Sequence, residues 1–363
     1  MSMKIRKTAL IFTACMGLSL LAGCGDEKQQ IFKEAEKDLE QGSYDYALDE
    51  FTTSVENSIN LTTSYRGIGI CQLRMENYED AVTAFTNALG TEKVSKSVAK
   101  DLYLYRATAR LQAGHLEDAM ADCQMLAQNY DMDADCWFLT GKVALAMDGY
   151  DEASYDFEQA YGEDSSYDRA IQIYEAYLEK DMEADGTRYL EAVLSTEAKG
   201  TDDLCDRGRI YYYMEDYANA KKELTDASNQ GSQEALLVLG MVYSAQQDYA
   251  NARSMYQQFV NQKLEDTSRN QTQTAAPGYN GLAVCDMAEG NYDSALENIN
   301  NGISVAADDE MQSLLFNEIV IYEKKLDFST AQAKAQEYVG MYPDDEEAAK
   351  ELDFLKSRTG TVQ

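Results

Sequence analysis

Residues 75–89, MENYEDAVTAFTNAL, contain the pattern that decides the fold. Similar stretches recur at 147–161 (MDGYDEASYDFEQAY), 214–228 (MEDYANAKKELTDAS), 246–260 (QQDYANARSMYQQFV) and 289–303 (EGNYDSALENINNGI). Each has a tyrosine, an alanine three residues later, a bulky residue four after that and usually a small residue three further on. This spacing places the marked residues on one face of a helix, where the alanine lets a neighbouring helix approach closely.

A second helical segment precedes each of these stretches. It is marked by a large residue with glycine four positions later, as in YRGIG (65–69), WFLTG (137–141), LCDRG (204–208) and LLVLG (236–240). On a common frame the alanine position falls at Ala47, Ala81, Ala119, Ala153, Asp185, Ala220, Ala252, Ala295 and Ala331. The fifth unit is irregular, because Asp185 stands where alanine is expected, whereas Tyr189 and Ala192 keep the later positions. The pattern predicts a pair of helices that repeats along nearly the whole chain.

This helix-turn-helix unit resembles the tetratricopeptide repeat, whose period is about 34 residues. The resemblance covers residues 31–343 and implies an all-α fold, a right-handed α-solenoid of about nine repeats. The chain departs from the family in having the proline after the second helix only once, and in a polar insert at 261–278. Residues 344–363 carry acids first and cations last, which suits a helix dipole. We expect them to form a capping helix and tail.

The N-terminus, residues 1–23, has the parts of a secretory signal: three cations, an apolar run and then small residues. The run ends in LAGC, which resembles the lipobox of bacterial lipoproteins, where the cysteine is joined to diacylglycerol after cleavage. The resemblance implies a lipidated Cys24, a short tether at 24–30, and a protein anchored on the extracytoplasmic face of the cell membrane. The alternative is an ordinary signal peptide with a chance cysteine.

The charge of the chain excludes one class of partner. There are 64 acids against 31 cations, and removal of the three cations of the signal leaves 28 against 64, or −36. Such a surface repels nucleic-acid phosphates and anionic headgroups. We therefore expect no nucleic acid partner, and membrane attachment through the lipid alone. Solubility accounts for so much acid at least as well as a recognition role does.

Few residues are arranged for catalysis. His115, the only histidine, falls in a predicted surface turn. The segment from Asp131 begins like a calcium loop, but Cys136 replaces the required glycine and Lys142 the required glutamate. Its acids are better interpreted as the negative N-terminal end of a helix. We predict no metal, no cofactor and no enzymatic activity.

The cysteines beyond the lipobox are expected to pack as small apolar groups. Cys71 and Cys285 occupy equivalent helix positions in distant repeats, so they cannot pair. Cys123 takes a bulky core position and Cys136 opens the next repeat, which leaves a disulfide between these two as the alternative. No CxxC motif is present, and we expect all of these thiols to be reduced.

In tetratricopeptide arrays a partner commonly lies along the concave groove and contacts the second, fifth, ninth, twelfth and thirteenth residues of each first helix. Aromatic and cationic side chains at such positions contribute most binding energy. Carried over by position, the resemblance implies these groove residues: Arg66, Arg74, Phe138, Lys142, Tyr167, Tyr174, Tyr177, Arg209, Tyr212 and Tyr213. Tyr211 is expected to face the core instead. The alternative is that the tyrosines pack between adjacent helices.

These features favour a membrane-anchored scaffold that binds a protein or peptide, in cell-envelope assembly. A solute- or glycan-binding lipoprotein, with groove tyrosines stacked on sugar rings, is the first alternative. A cell-wall enzyme and self-assembly through the solenoid ends are the others. The partner and the oligomeric state do not follow from the sequence.

Overall fold

The computed structural model describes residues 27–92, 94–265, 275–343 and 345–360. These ranges contain nineteen α-helices and no β-strand. The helices fall into two compact units, of which the first ends at Val193 and the second begins at Leu194. Each unit is a succession of antiparallel helical hairpins, so the predicted all-α solenoid of helical repeats is confirmed.

The first unit consists of five hairpins. Its helices are α1 (Glu27–Glu40), α2 (Tyr44–Glu56), α3 (Leu61–Arg74), α4 (Tyr78–Leu89), α5 (Lys96–Gln112), α6 (Leu116–Asn129), α7 (Ala134–Ala146), α8 (Tyr150–Glu163), α9 (Tyr167–Leu178) and α10 (Glu183–Leu194). Odd-numbered helices are the first helices of the repeats and even-numbered helices are the second.

The second unit has four hairpins and one further helix within the described ranges. Its helices are α11 (Thr201–Tyr213), α12 (Tyr217–Asn229), α13 (Gln233–Ala245), α14 (Tyr249–Glu265), α15 (Ala276–Ala288), α16 (Tyr292–Ile303), α17 (Asp308–Lys324), α18 (Phe328–Met341) and α19 (Glu346–Thr359). The nine hairpins and the final helix match the number expected from the repeat pattern.

In several hairpins a small residue of the first helix contacts a bulky residue of the second, as in the pairs Gly69–Phe85, Gly141–Phe157, Gly208–Leu224 and Gly240–Tyr256. A Cβ on Gly141 of α7 would lie 2.8 Å from the ring of Phe157 in α8, closer than side chains tolerate. Phe157 is fully buried there, beside Ala153 and Ala160 on the same face. The spacing of alanine, bulky residue and small residue quoted above is therefore the packing surface between the two helices.

A single left-handed residue occupies every turn between the two helices of a hairpin. These residues are Gly42, Glu76, Gly114, Asp148, Asp181, Glu215, Gln247, Gly290 and Leu326, with φ between 57° and 79°. Each lies five residues before the small residue of the second helix, as Glu76 lies before Ala81. The chain reverses there because a left-handed residue ends the first helix while leaving room for the second.

The fifth repeat is one residue out of the register that the sequence predicted. Gly186, not Asp185, faces the first helix, since its missing Cβ would lie 2.8 Å from the Cα of Tyr174. Leu190 and Val193 follow at the bulky and small positions and are buried, whereas Asp185 is exposed. The left-handed Asp181, five residues before Gly186, fixes the same register. In this repeat a glycine, not an alanine, is the small residue that lets the two helices approach closely.

Ion pairs one repeat apart join neighbouring hairpins within each unit. Lys100 bonds Asp133 at 2.6 Å in the first unit, and Lys325 bonds Asp293 at 2.5 Å in the second. The buried Asp286 forms an ion pair with Arg253, in which Oδ1 of Asp286 lies 2.5 Å from Nη1 of Arg253. Each repeat thus depends on the one beside it for its polar contacts as well as for its apolar core.

Three boundaries differ from those expected. Helix α1 begins at Glu27, inside the proposed tether, because its apolar face reaches Phe51 of α2 through Phe32. Helix α14 continues to Glu265, and α15 begins at Ala276 with a proline in its first turn, so both enter the proposed insert. Residues 266–274, the signal peptide and Cys24 lie outside the described residues.

Candidate functional site

The first helices of the first unit form a surface shared by several repeats. Helix α3 contacts α5, α5 contacts α7, and α7 contacts α9. The second helices pack instead against their own first helix and the first helix of the next repeat, as α4 and α6 do. A partner lying across the first helices would therefore contact consecutive repeats at once.

A pocket of about 160 Å³ lies on these helices, and we name it the first-helix pocket. It is lined by Leu111, Gln112, Lys142, Leu145, Ala146, Ala176, Glu179 and Lys180. All eight belong to the C-terminal ends of α5, α7 and α9 or to the residues that follow α9. The pocket exists because three consecutive first helices end at the same level, which the repeat imposes.

The lining combines an apolar floor with a charged rim. Lys142 lies 3.6 Å from Glu179, and Lys180 lies 3.3 Å from Asp148 and 3.4 Å from the carbonyl oxygen of Ala146. The carboxylates of Glu179 and Asp148 are largely exposed, so each pair contributes below about 1 kcal/mol. A ligand carboxylate could replace either of them at little cost.

Four of the predicted groove residues are buried, and their assignment to the groove is wrong. The exposed fractions are 7% for Phe138, 9% for Tyr167, 3% for Tyr174 and 1% for Tyr177. Phe138 packs 5.8 Å from the ring of Phe157 and beneath the guanidinium of Arg169. These side chains fill the core between hairpins, as the alternative interpretation held.

The register of the fifth repeat explains the three tyrosines. With Gly186 in place of Asp185, every position in α9 moves by one residue, and Tyr167, Tyr174 and Tyr177 fall on the packing face. The groove rule then selects Glu179 instead, which lines the first-helix pocket. In the structure the register is fixed by the left-handed turn residue, which lies five residues before the small residue in every repeat.

Two predicted arginines lie on α3. Arg66 is largely buried and donates from Nε to Oδ2 of Asp101 at 2.5 Å, while its guanidinium lies 5.2 Å from the ring centre of Tyr105. Both contacts join α3 to α5, so Arg66 binds within the protein. Arg74, the last residue of α3, is half-buried.

Lys142 is the predicted groove residue that lines the first-helix pocket. Its neighbours there were not predicted. Leu111, Leu145 and Ala146 hold the twelfth or thirteenth position of their helices, but the groove prediction covers only aromatic and cationic side chains. The apolar residues of the pocket were therefore not predicted because of their residue type, although they hold groove positions.

The remaining predicted residues lie on α11 in the second unit. Arg209 is half-buried and bonds Asp206 of its own helix at 3.1 Å. The ring of Tyr212 lies 5.9 Å from that of Tyr213 and 6.3 Å from that of Tyr217, and burial raises the pKa of Tyr212. Tyr211 packs against the cluster that contains Leu224, and Tyr212, which was expected to face the groove, packs against the same cluster. Arg209, Tyr212 and Tyr213 are partly exposed. Their contact with a partner stays a prediction.

Two buried aspartates, one repeat apart, have different surroundings. Asp122 of α6 accepts from Arg106 at 2.7 Å and from Arg110 at 2.6 Å. Asp156 of α8 occupies the same position, but the residues that correspond to the two arginines are threonine and alanine. Burial, reinforced by the charge of Glu152, raises the pKa of Asp156 to about 6. The fourth repeat therefore holds a poorly compensated carboxyl group.

The other candidates for chemistry are structural. His115 precedes α6 and is exposed, with Nε2 3.1 Å from Oε1 of Glu79. Asp133 caps α7 by accepting from the backbone N–H of Cys136 at 3.0 Å, which confirms the helix-end interpretation of the calcium-like segment. Within the described ranges no three histidine, cysteine or acidic side chains are grouped to hold a metal ion.

The five cysteines of the described ranges are buried and form no disulfide with one another. Burial raises the pKa of Cys123 and of Cys136 to about 12, and that of Cys205 to about 11. A thiol with such a pKa is almost entirely protonated at neutral pH and reacts slowly.

Comparisons with known proteins identify the repeat. Sequence models of the tetratricopeptide repeat match residues 68–134 in the first unit and 234–262 in the second. The chain therefore contains tetratricopeptide repeats in both units. None of the curated proteins compared matches the chain.

The chain is similar to several solved structures. A tetratricopeptide repeat protein from Parabacteroides merdae is 14% identical over 70% of this chain and 99% of its own, with a TM-score of 0.42. Yeast Tom70 is 13% identical over 92% of this chain and 88% of its own, with a TM-score of 0.40. The APC/C hetero-tetramer Cut9-Hcn1 is 15% identical over 85% of this chain, with a TM-score of 0.41. The chain spans 58% of the length of that matched chain.

None of the helices in the described ranges has the length and apolar character needed to span a membrane. The longest are seventeen residues, as in α5 and α14, and both carry charged side chains.

Proposed function

We propose that this protein is a non-catalytic scaffold that binds a segment of another protein through the first helices of its first unit. The observation that carries the proposal is the first-helix pocket, which three consecutive repeats build together. Repeats of this kind present extended surfaces, and a pocket shared between repeats gives one partner side chain a defined place on that surface.

The composition of the pocket suits a side chain that is apolar with a polar or acidic neighbour. Leu111 and Leu145 supply the floor, and Lys142 and Lys180 supply ammonium groups at the rim. The rim pairs with Glu179 and Asp148 are weak, so these lysines remain available to an incoming carboxylate. A glycan ligand has no comparable support, because three of the tyrosines proposed to stack on sugar rings are buried.

The binding surface is tested by photo-crosslinking in the cells that produce the protein, with a photoreactive residue at Gln112. We expect a crosslinked product that is lost or strongly reduced in the Lys142→Glu variant. The matched control is Lys222→Glu, the same charge change on an exposed side chain of α12. Equal crosslinking in the two variants would refute binding at the first-helix pocket.

The proposal also includes a lipid anchor at Cys24, which would hold the protein on the extracytoplasmic face of the membrane. The process proposed for it there is cell-envelope assembly. The anchor is supported by LAGC at residues 21–24 behind an apolar run. Metabolic labelling with an alkyne fatty acid should mark the wild-type chain and the Cys15→Ala variant but not Cys24→Ala. Labelling of Cys24→Ala to the wild-type level would exclude the lipid site.

A further inference from the structure

Helix α19, the last helix of the described ranges, packs on the preceding hairpin through an apolar contact. Ala348, Leu352 and Leu355 of α19 are buried against the preceding hairpin, in a cluster that includes Ile319 of α17 and Tyr338 of α18. Asp345 fixes the start of α19 by accepting from the hydroxyl of Tyr338 at 2.7 Å and from the backbone of Ala348 at 3.1 Å. Since α19 has no following helix in the described ranges, this one contact surface holds it.

Beside this cluster, one acidic side chain of α17 meets one acidic side chain of α19. The carboxyl group of Glu323 in α17 lies within hydrogen-bonding reach of that of Glu351 in α19. Oε1 of each is inaccessible to solvent and receives no hydrogen bond from any described donor. Two ionised carboxylates have only acceptors and cannot satisfy each other, whereas one proton between them makes a hydrogen bond.

The surrounding charges leave this pair largely uncompensated. Burial is the main cause that raises the pKa of Glu323, followed by the hydrogen bond and the charge of Glu351, to about 8, while Lys324 acts in the opposite direction. On α18, Lys334 faces Glu318 at 3.1 Å and Glu337 at 3.9 Å. On α15, Asp286 is held by Arg253. At the end of α17 and on α19, Lys325, Lys350 and Lys356 pair with Asp293, Glu346 and Asp353. Lys324 is the cation that lowers the pKa of Glu323.

We propose that Glu323 and Glu351 form a proton-dependent latch, which docks α19 on the ninth repeat when the pair shares a proton and weakens that docking when both carboxyl groups are ionised. The latch covers the end of the second unit at neutral and acidic pH. In alkaline solution α19 opens more often and exposes the apolar side chains beneath it.

The sign of the pH dependence follows from proton linkage. The docked state binds a proton that an undocked Glu323, with an ordinary pKa of 4.5, has already released. The docking equilibrium therefore weakens as pH rises above about 4.5 and stops changing above about 8. One proton limits the effect to about ten-fold per pH unit, so between pH 6 and pH 8 we expect docking to weaken by roughly ten- to fifty-fold.

The test is hydrogen exchange of peptides from residues 346–359 in the full chain between pH 6 and pH 9, corrected for intrinsic exchange. In the wild type the opening constant should rise roughly ten- to fifty-fold between pH 6 and pH 8 and change little more up to pH 9. In Glu323→Gln the amide supplies the missing donor, so the opening constant should become nearly independent of pH and lower than that of the wild type at pH 8.5.

Two further variants separate the latch from a general loss of stability. Glu351→Gln should remove the pH dependence in the same way. Glu346→Gln, the same change on an exposed side chain of α19, should retain it. A pH dependence that persists in both Glu323→Gln and Glu351→Gln, or that is absent from the wild type, would overturn the proposal.

Discussion

Leu326 provides the sharpest test of how the turns of this protein work. It is the left-handed residue of the ninth hairpin, with φ of 61°, and its side chain is 73% exposed. The other repeats place glycine or a polar residue at this position. The preceding residue, Lys325, has an ordinary helical φ of −74° and serves as the matched control.

The magnitude follows from comparing glycine with alanine at each site. A left-handed conformation costs an L-residue about 1–2 kcal/mol, which glycine avoids. Glycine loses about 0.5–1 kcal/mol relative to alanine through its greater freedom in the unfolded chain. At 326 glycine should therefore be more stable than alanine by about 0.5–1 kcal/mol. At 325 it should be less stable by a similar amount.

The assay must report on the second unit. The one tryptophan, Trp137, lies on α7 in the first unit, so its fluorescence is unsuitable. Hydrogen exchange of peptides from α17 and α18 gives the free energy of local opening directly. Because the comparison is between glycine and alanine, loss of the Leu326 side chain or of the Lys325 ion pair cancels. The same sign of the difference at 325 and 326 would refute the reasoning.

The remaining predictions concern the first unit. Asp156→Asn should stabilise the protein at pH 7.5, because the folded state raises this pKa from 3.8 to about 6 and so loses stability as pH rises through that window. The shift corresponds to about 3 kcal/mol, which solvent screening reduces to about 1–2 kcal/mol, and the gain should vanish below pH 4. Asp122→Asn, the matched control, should destabilise by about 3 kcal/mol by leaving two arginines uncompensated. Gly141→Ala should cost about 1–3 kcal/mol, since its Cβ would meet the ring of Phe157. Urea unfolding followed by Trp137 fluorescence measures all three, and a stabilising Asp122→Asn or a neutral Gly141→Ala would contradict the packing described.

The sequence was sufficient for the hairpins because each is determined by local spacing. Ala153, Phe157 and Ala160 identify a helix face wherever they recur, and a period near 34 residues does not depend on distant contacts. The register predicted for the fifth repeat was wrong for a physical reason. Glycine, here Gly186, is as suitable as alanine where two helices approach closely, but the alanine pattern does not include it. One shifted residue then moved three tyrosines from the core to the groove.

The candidate site was only partly predictable from the sequence. Lys142 was found because position and residue type both indicated it. The pocket beside it is lined by side chains of α5, α7 and α9, so it forms only where three particular repeats lie side by side. Its apolar floor consists of ordinary leucine and alanine side chains, whose type alone does not distinguish an exposed site from a core.

The buried cysteines make the native protein convenient to label. With pKa values near 12, Cys123 and Cys136 hold a thiolate fraction on the order of 10⁻⁴ or less at neutral pH, and their burial slows reagents further. A new cysteine at the exposed Gln112 would react far faster than the native thiols of the described ranges. A fluorophore could then be placed at the rim of the first-helix pocket without first removing any native cysteine of the repeats, so that ligand binding becomes visible in solution.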